Sequence, residues 1–258
     1  MIPVALTIAG SDPSGGAGIQ ADLKTFHQFG VYGEAVITLL TVQNTRTVSR
    51  VELLDAGLVR QQIEAVLSDI RPGAAKTGAL GSAALIETVA EAIGDVPLVV
   101  DPVMISKHGA PLIAAEAAEA LRGRLFAKAE LVTPNLHEAA ALTGLPVETE
   151  AQMVAAGRRL LELGPRAVLV KGGHLAGQAS DVLVTAETVD WFTAERTDTP
   201  HTHGTGCTYS AAITALLAAG RPLRNAVAEA KAFITEAIRT NPGLGHGHGP
   251  VNHFARTR

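Results

Sequence analysis

The residues of this chain whose types suit chemistry sit where apolar runs end or helical patterns begin. The stretch HGTGCTYS at 203–210 holds the only cysteine, Cys207, together with Gly204, Thr205 and Gly206. Glycines at that spacing let successive N–H groups point into one concavity. The alanine-rich helical pattern that follows would offer its free N-terminal amides to an anion. A plain capping turn ahead of a buried helix accounts for the same letters, and the loop alone does not separate the two readings. Its partners add weight. Asp101 ends the run VPLVVD, Asn135 and Glu138 stand three apart in TPNLHE, and Lys171 ends RAVLVK. Oxygen donors such as Asp101, Asn135 and Glu138 suit Mg²⁺, often through water, and Lys171 is a point charge for phosphate oxygens. Each also has a duller reading: a helix cap for Asn135, an exposed carboxylate for Glu138, a solvated edge for Lys171. Taken together, an anion loop, a magnesium-suited set and a lysine describe phosphoryl transfer.

Other motifs carry less. GSDPSGGAG (10–18) is a glycine-rich turn between an apolar run and a helical pattern, and Gly16 to Ala21 matches the letters GxGxxA. A dinucleotide site also wants an acidic residue closing the next strand, where this chain has Gln43 and Asn44, so NAD is disfavoured. No GK[ST] follows, so this is not a Walker loop. His201 with His203, and His246 with His248, form HxH pairs, but no third ligand of matching geometry accompanies them for zinc. The tail GLGHGHGPVNH is read as a glycine-rich loop near the ligand mouth.

The elements that must position these residues alternate along the chain. Val/Ile/Leu runs at 4–10, 35–40, 96–103, 129–135 and 166–173 lack polar alternation, as in a parallel sheet covered on both faces. Helical patterns lie between them. Ile19, Leu23 and Phe26 share one face, and Val59, Ile63, Val66 and Ile70 another. Further helices are expected over 82–93, 114–125, 136–143, 150–163, 206–219 and 223–240. The segment 181–197 reads as an antiparallel hairpin at one sheet edge. No repeat or proline-rich linker interrupts the chain, so one three-layer α/β/α domain over 1–258 is expected. Ligands collect at the carboxyl ends of such strands, where AGSDPSGGAG, TVQN, DPVM, TPNLHE and KGGH all stand.

Bulk numbers agree. Hydrophobic residues make up 47% of the 258 and charged residues 18%, enough for a sizeable core. A formal charge of −4 gives no reason to expect nucleic acid, and no basic run suggests an anionic membrane surface. One cysteine suits a reducing compartment, no apolar run reaches a membrane span of roughly 20 residues, and the N-terminus lacks a basic leader. A cytoplasmic location is the expectation.

The motifs LTIAGSDPSGGAGIQADLKTF, TPNLHEAAALTG, VLVKGGH, HGTGCTYSAA and GHGHGPVNH, in that order, resemble the hydroxymethylpyrimidine/phosphomethylpyrimidine kinases of thiamine biosynthesis. These belong to the ribokinase-like superfamily, and the resemblance spans about residues 4–254. It implies a three-layer α/β/α sandwich with a mostly parallel central sheet, ATP and Mg²⁺ as cofactors, and a homodimer. It also implies two successive phosphorylations of 4-amino-5-hydroxymethyl-2-methylpyrimidine, first to the monophosphate and then to the diphosphate. Cys207 takes the place of the aspartate that ends the GxGD loop of many superfamily relatives. By the same resemblance Gln43 reads the aminopyrimidine edge, with Gly10, Asp22, Leu80 and Val103 as further substrate contacts. Lys171, Asn135, Thr202 and Gly206 would hold the nucleotide. A helix N-terminus can lower the thiol's pKa toward neutrality, making Cys207 a base; a neutral thiol would instead keep charge away from a phosphorylated acceptor. Pyridoxal/pyridoxine kinase is the rival on the same fold, and a non-catalytic nucleotide- or vitamin-binding module the rival of another class.

Overall fold

Alternate side chains along each inner strand go to opposite faces, and here both faces are apolar. The computed structural model describes residues 2–104, 115–173, 175 and 177–256. In β5 (Leu98–Val100), Leu98 and Val100 enter one core and Val99 the other. In β7 (Ala167–Lys171), Val168 and Val170 face one side and Leu169 the other. Two faces to cover require two helical layers, and the sandwich has three layers.

The described residues form nine strands in the order β3-β2-β1-β4-β5-β6-β7-β8-β9. β1 (Val4–Ser11), β2 (Tyr32–Gln43), β4 (Ala74–Thr77), β5, β6 (Ala129–Val132) and β7 are mutually parallel. β3 (Val48–Leu53) pairs antiparallel with β2, and β8 (Ala179–Thr185) and β9 (Val189–Ala194) form the hairpin expected at one edge. α1 (Gly18–Gln28), α7 (Thr205–Ala218) and α8 (Leu223–Arg239) cover one face. The other carries α2 (Ala56–Asp69), α3 (Ala83–Ala92), α4 (Ala115–Ala120), α5 (Leu136–Thr143) and α6 (Glu150–Leu161).

Several expectations shift. Two strands, β3 and β4, are additions. β4 is four residues long and contains Lys76, so no apolar run announces it; β3 lies at an edge, mostly solvent-facing and without apolar alternation. The helix expected over 114–125 begins in the described residues at Ala115, then widens into a π turn (Leu121–Leu125) and tightens into a 3₁₀ turn (Phe126–Lys128). Residue 114, and His174 of the KGGH motif, lie outside the described residues. Ile70 falls just past the end of α2 and is 42% exposed, so it does not share the buried stripe of Val59 and Ile63.

Candidate active site

Because β1, β2 and β4–β7 are parallel, their carboxyl ends open on one edge of the sheet, and α7 begins there. Gly204 starts α7 at φ +76°, where a Cβ would stand 1.8 Å from the Gly16 carbonyl oxygen. The two glycine loops, 10–18 and 203–207, are thus pressed backbone to backbone, which only residues without side chains permit. Thr205 is held by the Thr202 carbonyl, which accepts from both its N–H and its Oγ1 (2.8 Å). Thr202 therefore shapes the loop through its backbone. At Gly206 a Cβ would meet Lys171 Nζ at 3.3 Å and Asp101 Oδ2 at 3.6 Å. The first-turn amides of α7, which have no partner within the helix, therefore open next to a lysine.

Two buried lysine–aspartate pairs flank this turn. Lys171 Nζ donates to Asp101 Oδ1 at 2.9 Å, and Thr133 Oγ1 donates to the same oxygen at 3.1 Å. Burial opposes ionisation of Asp101, but Lys171 and Lys76 outweigh it and hold the pKa low. Lys76 Nζ donates to both oxygens of Asp22 at 2.9 Å, and Thr7 Oγ1 adds a bond of 2.6 Å; both charged side chains are 0% exposed. Asp22 was expected to touch the substrate ring; its carboxylate is instead turned inward on Lys76 and Thr7. Cys207 feels both lysines. The thiol is half-buried, and loss of water pushes its pKa up to about 11, against the pull of Lys76 and of the Gly18 N–H that it accepts. Of the two states left open by the sequence, base or neutral thiol, this direction favours the neutral one.

Asn135 and Glu138 face one another. Asn135 Oδ1 accepts the Glu138 N–H at 2.9 Å and Glu138 Oε2 accepts the Asn135 N–H at 2.8 Å, a reciprocal capping box at the start of α5. Glu138 is buried, not the exposed carboxylate of the duller reading. Burial first, then repulsion from Asp101, raises its pKa to about 7, against the pull of Lys171 and of the Asn135 and Met104 backbones. Among the described residues no three His, Cys, Asp or Glu side chains group as metal ligands.

Gln43 closes β2, with its side-chain nitrogen 3.2 Å from His203 Nε2, and His203 Nε2 is 2.7 Å from Asp12 Oδ2. Asp12 also accepts from Ser14 N, Ser14 Oγ and Ala17 N, so it ties the first glycine loop to the second. His203 belongs to this tie and not to a zinc pair. The tail passes over it. Gly249 O accepts from His203 N, and His248 N donates to Thr45 O at 2.8 Å, just beyond Gln43. Leu80 is 2% exposed and packs in the core, Val103 is half-buried beside Asp101, and Gly10 leaves room for the Leu39 side chain. Sequence reading missed Lys76, Asp12 and the tie through His203. An isolated lysine in AAKTGAL, and an aspartate heading D-P-S-G, where it can bond the backbone two residues on, are the signals they left.

The region joining these groups is also where the chain is alike others. A family model described as phosphomethylpyrimidine kinase matches residues 12–252. The chain belongs to this family. The hydroxymethylpyrimidine/phosphomethylpyrimidine kinase of Staphylococcus aureus (strain MRSA252) is 47% identical over 98% of this chain and 94% of its own length. A crystal structure of phosphomethylpyrimidine kinase from Clostridium difficile 630 is 46% identical, covers 92% of this chain and 100% of its own, and superimposes with a TM-score of 0.82. The ADP complex of Bacillus subtilis pyridoxal kinase is 40% identical, with a TM-score of 0.91 over 99% of this chain and 98% of its own. Within the phosphomethylpyrimidine kinase family, the fold is the ribokinase-like α/β/α sandwich, as expected.

Proposed function

We propose that this chain transfers the terminal phosphoryl group of ATP to 4-amino-5-hydroxymethyl-2-methylpyrimidine and then to its monophosphate, making the diphosphate used for thiamine. The observation that carries this reading is the first turn of α7, where the open amides that lead into Cys207 stand against Lys171 Nζ and Asp101 Oδ2. Lys171 stays charged, because its carboxylate neighbours outweigh its burial, and would neutralise phosphate oxygens. The amides of Gly206 and Cys207 would hold the charge that grows on the transferred group. Lys76, kept charged by Asp22, stands behind the thiol. As the alcohol oxygen bonds to the terminal phosphorus and the bridging oxygen leaves with ADP, the hydroxyl proton would pass to an oxygen of the transferred phosphoryl group. Cys207, a neutral thiol beside the acceptor, spares the second acceptor, already an anion, a fixed negative neighbour.

Magnesium fits the oxygen-rich donor set only through water, since Asn135 Oδ1 is spent on the helix cap and Asp101 on Lys171 and Thr133. Bound there, the ion would supply positive charge that screens the phosphates, and Glu138 and Asp101 would hold it through water. Gln43, beside His203, would read the aminopyrimidine edge with Gly10 and Val103 near the ring, while Leu80, packed in the core, supports that wall from behind; Asn135, Thr202 and Gly206 would line the nucleotide side. The unbroken nine-stranded sheet supports reading 1–258 as one domain. A cytoplasmic place, small molecules as the only ligands, no nucleic-acid or membrane partner, and a homodimer complete the proposal; no helix of the described residues is long and apolar enough to cross a membrane.

Likeness to the pyridoxal kinase favours a second reading, pyridoxal as acceptor. ATP consumption measured side by side with the pyrimidine, its monophosphate and pyridoxal decides. Turnover confined to pyridoxal, or absent with all three, would sink the proposal.

A further inference from the structure

Beneath the site lies a buried carboxylate that none of the steps above uses. Asp181, 2% exposed, stands on β8 directly across from Lys171 in the β7–β8 register. Its Oδ1 accepts the N–H of Gly172, the residue after Lys171, at 2.9 Å. A Cβ at Gly172 would stand 2.0 Å from the Ser180 carbonyl oxygen, so this end of β7 is pressed onto β8 one residue before Asp181. Oδ2 receives Lys231 Nζ of α8 at 2.7 Å, and Nζ also donates to the Ala179 carbonyl at 2.8 Å. From α7, two residues past Cys207, buried Tyr209 turns its hydroxyl toward the same carboxylate without completing a regular hydrogen bond; burial first and then Asp181 hold the phenol un-ionised. One carboxylate thus meets the strand end that carries Lys171, the helix that carries Cys207, and α8.

We propose that Asp181, neutralised by Lys231, is a positioning residue for phosphoryl transfer. By holding the Gly172 amide it fixes the peptide plane that aims Lys171 at Asp101 and the first turn of α7. The inference rests on the proposed role of Lys171. Its content is the acceptor atom, not the charge: a buried ion pair can be replaced by neutral groups without loss of stability, whereas removing one partner leaves a costly lone charge. That difference gives a test in which both charges leave together.

Asp181→Asn with Lys231→Met keeps an oxygen at Oδ1 for Gly172. Asp181→Leu with Lys231→Met removes it at similar volume. At saturating ATP, the first pair should keep kcat within about threefold of the parent. The second should lose about 10–100-fold, the scale expected when a reacting group is misplaced by an ångström. The KM for the pyrimidine should stay near the parent in both, a split that a merely structural role would not give. The leucine pair should also melt a few degrees lower, since the buried Gly172 N–H loses its acceptor, so kcat is read well below that temperature. Parental kcat in the leucine pair, or an equal loss in both pairs, overturns the proposal. If the leucine pair does not fold, Asp181→Ala with Lys231→Met, which also removes the acceptor, takes its place with the same expected loss and the same refuting outcomes. Lys171→Met in the same assay separates the two layers, because undiminished turnover there would refute the role of Lys171 and not the hold of Asp181 upon it.

Discussion

Cys207 and Gln43 pose opposite problems to a single side chain. Gln43 works by hydrogen bonds, and a buried polar edge left unpaired costs about 1–3 kcal/mol. Gln43→Leu should therefore raise the KM for the pyrimidine by about 5–150-fold with the KM for ATP unchanged; steady-state kinetics with each substrate varied in turn is the check, and an unmoved pyrimidine KM removes Gln43 from the site. Cys207 works by lacking charge. With its thiol pushed up to about 11, it is neutral beside both acceptors. Cys207→Asp places a carboxylate there, which can take a proton from the alcohol but repels the monophosphate. The second step should fall at least tenfold further than the first, measured as separate turnover of the alcohol and the monophosphate. Equal losses would mean that packing, not charge, selects cysteine.

At the scale of the element, the start of α5 combines a structural device with an electrostatic load. Glu138 completes a capping box, yet its buried carboxyl titrates near 7, raised from an ordinary 4.5. A carboxyl whose folded pKa is raised takes up a proton on folding, so its contribution to stability is full below about 4.5 and is lost as pH rises through 7. Glu34 on β2, raised to about 7 by burial and by Asp69, acts in the same window. His253, whose pKa burial lowers to about 4, acts in the opposite sense below about 6.5. The two carboxyls outnumber it, so the melting temperature should decline between about pH 5 and pH 7, and Glu138→Gln, which preserves the acceptor of the box, should flatten the decline. The same variant should lower turnover and raise the magnesium concentration needed for half-maximal activity. A normal magnesium titration in Glu138→Gln would leave the residue a cap and nothing more.

For the whole molecule, the open question of assembly falls on the sheet edge. Leu40 and Val42 of β2 are 45% and 57% exposed on one face of the β2–β3 ribbon, opposite Glu52 and Arg50. Apolar side chains side by side in water favour a cover of their own kind. Light scattering should give twice the chain mass, and Leu40→Lys with Val42→Lys should shift it to the monomer. A parent that is monomeric at high micromolar concentration would refute the homodimer.

What the sequence by itself determined follows from local rules. Unbroken Val/Ile/Leu runs require a sheet buried on both faces, and glycine pairs at strand ends mark where backbones approach closely. Polar residues closing those runs must share one edge once the strands are parallel. That reasoning reached Asp101, Lys171, Asn135, Glu138 and the Cys207 loop, and by resemblance Gln43. Only the tertiary structure decided what depends on distance across the chain. Lys76 and Asp22 are 54 residues apart and His203 and Asp12 are 191, and no local pattern records such pairings. It also set the balance at the thiol: the letters show a cysteine on a helix N-terminus, which favours the thiolate, whereas its partial burial in the fold pushes the pKa up.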